Sequence, residues 1–285
     1  MTDSTPAPAR PAGSPGIRSL AVLLTALVLA TAAAVMTYLA VAHSRAGGGA
    51  PPPGLTLFQA STLNALAAGH YDGDLAFAAL KPHGDFGLGT VNALDGEMIA
   101  LDGQFYQIRT DGIATPVAED QKTPFAMVTA FSPQTTAALA QPLDFRQLQA
   151  HLDGLLSDPN LIYAVKITGR FRWLKARSVP RQTPPYPSLA VAAGRQVIFE
   201  FTDVEGTIVG FRLPAYLQGV NLPGYHCHFL TADRRRGGHL LDCRMEQGRV
   251  EIAALRNLYL KLPTGVATGQ DLSRDRRQEL EKIEN

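Results

Sequence analysis

"GYHCHFLTADRRRGGHLLD", Gly224 to Asp242, gathers three of the chain's seven histidines, His226, His228 and His239. Residues two apart on a strand point to the same face, so His226 and His228 present their imidazoles together while Cys227 turns away. After Leu230 the polar run "TADRRRGG" turns the chain, and "HLLDC" returns as the partner strand. If His228 lies opposite His239, all three rings meet on one face, because directly paired side chains share a side. In that register Cys243 joins the histidine face and Cys227 does not, so a Cys227–Cys243 disulfide is not expected. Three imidazoles on a rigid hairpin suit Zn²⁺ or a similar first-row ion, and fewer than four protein ligands leave positions open for water or substrate. His70 and His83, each next to a glycine, read as loop residues.

Around this hairpin the chain alternates between short helical patterns and strands. "STLNALAAG" offers Ser61 as an N-cap, helically spaced Leu63, Leu66 and Ala67, and Gly69 as a stop. "GLGTVNALDGEMIALDGQFYQIRTDGIATPV" is punctuated by Asp95-Gly96, Asp102-Gly103 and Asp111-Gly112, the turn signature of a β-meander. "PLDFRQLQAHLDGLLSDPN" carries Phe145, Leu148 and Leu152 at helical spacing, with His151 outside the stripe as a surface residue and Asp158-Pro159 as the stop. Strand-like runs follow to about residue 255. The expectation is an α+β fold of two sheet-containing halves, residues 55–140 and 141–285, mostly antiparallel.

The N-terminus is a different kind of polymer. Residues 1–18 are rich in Pro, Ala and Ser and are expected to be a disordered cytoplasmic stretch. Ser19–Ala42 contains no charged residue and is long enough to cross a bilayer as one helix, with Arg10 and Arg18 on the cytoplasmic side. The apolar run exceeds that of a usual cleaved signal, which favours an uncleaved anchor over cleavage after Ala42. Residues 43–54 read as a linker. The rest is therefore expected outside the cytoplasm. A net charge of +1 provides no field for nucleic acid, and the lone "DRRRGG" reads as a solvated loop tip.

"GLGTVNALDGEMIALDGQFYQI", "TPFAMVTAF", "ARSVPRQTPPYP", "GFRLPAYLQGVNLPGYHCHFLTADRRRGGHLLD" and "DLSRDRRQELEKIEN", in this order, resemble the α-acetolactate decarboxylase family from about Leu55 to the C-terminus. The resemblance implies a zinc enzyme converting 2-acetolactate to (R)-acetoin and CO₂, an α+β homodimer, with His226, His228 and His239 as metal ligands. It also implies an active-site Thr90, Glu97 and Arg177, with Arg181 the lesser choice for the arginine, and a tail glutamate, Glu284 before Glu281. Leu280 and Ile283 form an apolar edge by which that tail can dock. The chemistry needs no thiamine or pyridoxal group, since the substrate's own ketone accepts the electron pair left by CO₂. The competing readings are another three-histidine zinc lyase or hydrolase acting on a small carbonyl compound, and a non-catalytic membrane-tethered metal- or solute-binding protein.

Overall fold

The alternating patterns resolve into fifteen strands among the described residues. They are β1 (Thr56–Ala60), β2 (Leu75–Ala76), β3 (Phe86–Thr90), β4 (Glu97–Leu101), β5 (Gln104–Ile108), β6 (Ala114–Pro116), β7 (Lys122–Thr123) and β8 (Ala126–Thr129). The second half adds β9 (Thr135–Leu139), β10 (Leu143–Asp144), β11 (Ile162–Ser178), β12 (Val197–Leu213), β13 (Gly224–Thr231), β14 (Gly237–Leu255) and β15 (Asn257–Lys261). This computed structural model describes Met36 and residues 55–262 and 272–284. The expected N-terminal stretch, the linker and, apart from Met36, the apolar run 19–42 lie outside the described residues. Among the described residues no helix is long and apolar enough to cross a membrane.

A seven-stranded sheet runs β15-β1-β8-β3-β4-β5-β6, antiparallel except for the parallel β1–β15 pair. A second sheet runs β10-β14-β11-β12-β13, with β9 also on β14, and it closes on itself where β13 meets β14. The expected boundary at residue 140 is therefore displaced. β9 pairs with β14 in the second sheet, and β15, from the C-terminal half, crosses back to the first. That crossing occupies hydrogen-bonding groups that β1 would otherwise leave open at a sheet edge. Leu88, Ile99 and Met127 of the first sheet interleave with Val209, Phe211 and Leu230 of the second, so the sheets share one core.

The long strands explain a further correction. β11 and β14 pair from Ile162↔Leu255 to Arg177↔His239, but between Lys175↔Asp242 and Ala176↔Leu240 the residue Leu241 is left over. One extra residue flips every following side chain to the other face. Cys243 consequently leaves the histidine face and joins Cys227 and Leu240 in the second core cluster. Both thiols are free and buried, and the facing argument made from the sequence does not keep them apart.

Two helices start at side-chain caps, one of them not the expected one. Thr62, not Ser61, caps the helix Leu63–Ala67, its Oγ1 accepting from the Ala65 amide at 3.2 Å, while Ser61 has a positive φ. Asp144 and Gln147 form a capping box at the start of the helix Phe145–Leu155, which ends before Asp158 and buries Leu148 and Leu152. His151 on this helix is half-buried rather than at the surface. His83 closes a short 3-10 turn with its ring stacked on Phe58 at 3.8 Å.

The tail helix Arg277–Glu284 docks as its apolar edge implies. Leu280 and Ile283 enter the core shared by the sheets, and Asn64 Nδ2 donates to the carbonyls of Leu272 and Arg274 at 2.7 and 3.2 Å.

Burial pushes the Cys227 thiol up to about 12, and Cys243 is raised for the same reason. Because only the thiolate reacts, the native protein should resist iodoacetamide near neutral pH, and both cysteines should alkylate once it is unfolded without reductant. Intact-mass spectrometry of the two samples checks this, and a mass two protons short after unfolding would show a disulfide instead.

Candidate metal centre and active site

Strand pairing builds the site. Arg177 on β11 is directly opposite His239 on β14, and His239 is directly opposite His228 on β13, so the three side chains form one row across three strands. His226, two residues before His228, shares its face. The ring centroids lie 5.1–5.3 Å apart, all three rings are buried, and one nitrogen from each falls within 4.8 Å of the others.

The first sheet supplies the opposite wall. The Met98 carbonyl accepts from His228 Nδ1 at 3.0 Å. A carbonyl can only accept, so Nδ1 carries the ring proton and Nε2 keeps its lone pair. Burial, followed by the neighbouring His226, holds the His228 pKa well below the usual histidine value, which keeps the ring neutral. Glu97 Oε2 lies 3.6 Å from His228 Nε2. Three converging, buried imidazoles, with the His228 ring held neutral and a carboxylate beside it, fit a divalent first-row ion.

Glu97 opens β4 directly opposite Thr90 on β3. The Thr90 hydroxyl donates to the Gly96 carbonyl at 2.6 Å and so braces the residue before Glu97. Gly96 has φ +80°, and a Cβ there would sit 2.2 Å from the Ile108 carbonyl oxygen, so only glycine fits this turn. Arg177 is buried at the site, whereas Arg181 is directed away, its Nη1 at 3.5 Å from Asp95 Oδ2. Glu284 ends the tail helix, but its side chain and that of Glu281 lie outside the described residues.

Thr90, Glu97, Arg177 and the three histidines line one cavity of about 30 Å³, closed on its other side by Leu63, Leu66, Leu94, Phe125, Val179 and Leu189. This apolar wall escaped the sequence reading because helically spaced leucines at 63 and 66 signal only burial. The Met98 carbonyl carries no side-chain signal at all. A separate cavity of about 870 Å³ lies between the helix Leu189–Ala193 and the tail and is lined by none of the three histidines.

Fold and site together define a sheet-rich protein with three buried, converging histidines that could hold a metal ion, set where two sheets meet. Residues 57–270 match the family model of alpha-acetolactate decarboxylase. The alpha-acetolactate decarboxylase of Methanosarcina mazei is 49% identical over 80% of this chain and 80% of its own length. That of Klebsiella aerogenes is 44% identical over 78% of this chain and 85% of its own. The crystal structure of alpha-acetolactate decarboxylase from Bacillus subtilis strain 168 superposes with a TM-score of 0.79 at 38% identity, covering 81% of this chain and 99% of that one. The chain belongs to the alpha-acetolactate decarboxylase family and is a carboxy-lyase.

Replacing His239 with Ala should reduce bound divalent metal from about one ion per chain to a small fraction of that. Elemental analysis after dialysis measures it, and an unchanged metal content would remove His239 from the ligand set.

Proposed function

We propose that this protein decarboxylates 2-acetolactate to (R)-acetoin and CO₂, with Zn²⁺ held by His226, His228 and His239. The observation that carries the reading is that Glu97, Arg177 and Thr90 share one buried cavity with the three imidazoles, in a chain of this family. When bound, zinc supplies a Lewis acid that polarises the substrate's ketone.

The remaining work belongs to the chain. Arg177 offers a planar, permanently charged fork to the substrate carboxylate and to the negative charge left as CO₂ departs. The electron pair moves onto the substrate's own ketone, giving an enediolate that must gain a proton on one carbon face. Guanidinium is a reluctant acid, so proton delivery falls to Glu97, fixed by the Thr90-braced turn, with Glu284 of the tail as its partner. Leu63, Leu66 and Phe125 exclude water that would otherwise protonate either face.

The charge-free run Ser19–Ala42 behind two arginines supports an enzyme facing the cell exterior or periplasm, anchored by its N-terminus or released by cleavage after Ala42. Family resemblance supports a homodimer.

Acetoin formation from 2-acetolactate should disappear on chelation and return with zinc. Glu97→Gln should lower kcat by about 10²–10⁴-fold, the range of general acid help. Arg177→Lys, which keeps the charge but loses the fork, should abolish most activity with metal content unchanged. Near wild-type turnover in either variant would remove the role assigned to that residue.

A further inference from the structure

We propose that Asp95 is a positioning residue which, through ion pairs to Arg109 and Arg181, holds the Glu97 carboxylate against the histidine cluster. The proposal rests on the reading of Glu97 given above. The turn leading to Glu97 is conformationally costly, because Ala93 and Leu94 have φ of 64° and 51° with no glycine to relieve them, and Gly96 follows at 80°. Left-handed backbone at residues bearing a Cβ persists only where its surroundings enforce it.

The surroundings here are specific. Asp95 Oδ2 lies 3.0 Å from Arg109 Nε and 3.5 Å from Arg181 Nη1. The carboxylate is 8% exposed, whereas the two arginine side chains are 46% and 65% exposed. An ordinary surface pair contributes little, but this carboxylate sits behind the active-site turn, and removing its partners would leave a buried charge uncompensated. The Asp95 carbonyl also accepts from Gln107 Nε2 at 2.6 Å.

Arg181 follows Arg177 by four residues, and the segment from Arg177 to Gln182 binds the same turn. The Val179 carbonyl accepts from the Gly96 amide at 3.1 Å, and the Gln182 amide donates to the Ala93 carbonyl at 2.8 Å. The Asp95–Arg181 pair thus ties the strand end that carries Arg177 to the turn that carries Glu97, while the Asp95–Arg109 pair ties that turn to the end of β5. The separation of the two groups across the cavity is then set from behind, by side chains that never touch substrate.

The test compares the full chain with D95A, D95N, R181Q and D95A/R181Q by steady-state kinetics. The same proteins and E97A are loaded with Co²⁺, whose visible absorption reports groups next to the metal. D95A should lose about 10- to 100-fold in kcat with KM within about threefold, since small displacements of reacting groups cost rates of that order. R181Q should lose about threefold alone and nothing more in the D95A background, because the two act through one contact. The Co²⁺ spectrum of D95A should move toward that of E97A at unchanged metal content. D95N carries the same measurements if D95A does not fold. Wild-type kcat per bound metal, a D95A spectrum identical to wild type, or an E97A spectrum identical to wild type would each overturn the proposal. If the wild-type chain forms no acetoin, the functional reading fails, and the Co²⁺ spectra still decide whether Asp95 places Glu97.

Discussion

The contact between the start of β14 and the middle of β13 involves only Leu230↔Gly237, Phe229↔Gly238 and His228↔His239, yet the site depends on it. Residues directly opposed on paired strands are held about 5 Å apart, the separation at which imidazole nitrogens can share an ion. The glycine pair before His239 makes the approach possible. A Cβ on Gly237 would sit 2.3 Å from the Phe229 carbonyl oxygen, and one on Gly238 would sit 2.6 Å from that of Arg177. With larger residues there, β14 could not enter between β11 and β13, and His239 would lose both its neighbours in the row.

Closing the second sheet this way does not complete the centre. The second sheet provides nitrogen donors and a guanidinium; the first provides a carboxylate, a hydroxyl and the carbonyl that sets the His228 tautomer. Their separation is fixed by the core the sheets share, in which Phe86 of the first packs edge-on to Phe211 of the second at 5.9 Å. Buried charge and left-handed backbone occur together where the sheets meet. The left-handed turn at Ala93–Gly96, the buried Asp95 and the neutral His228 all lie within this seam, as expected where a fold is held to the geometry of a reaction rather than to its own lowest energy.

Parity along a strand explains why one inference from the hairpin held and another failed. The register placing His228 opposite His239 is one that the hairpin allows without requiring it, and the structure has it. The facing of Cys243 depended on β14 remaining regular for four more residues. Leu241 breaks that regularity, and the bulge it makes is dictated by how β14 fits along β11, not by any turn residue nearby.

The period-two spacing of His226 and His228, the glycines before His239, the Asp-Gly turns of the meander and the helical edge of Leu280 and Ile283 were legible in the chain itself. Each is a local pattern, set by backbone geometry over a few residues. What the tertiary structure alone decided is the crossing of β15 back to β1, the bulge at Leu241, the apolar wall from Leu63 to Leu189, and the division of labour between Arg177 in the cavity and Arg181 behind it. These join residues far apart in sequence, so they depend on how two twisted sheets stack and which side chains then compete for the same buried space, and no short-range periodicity encodes that outcome.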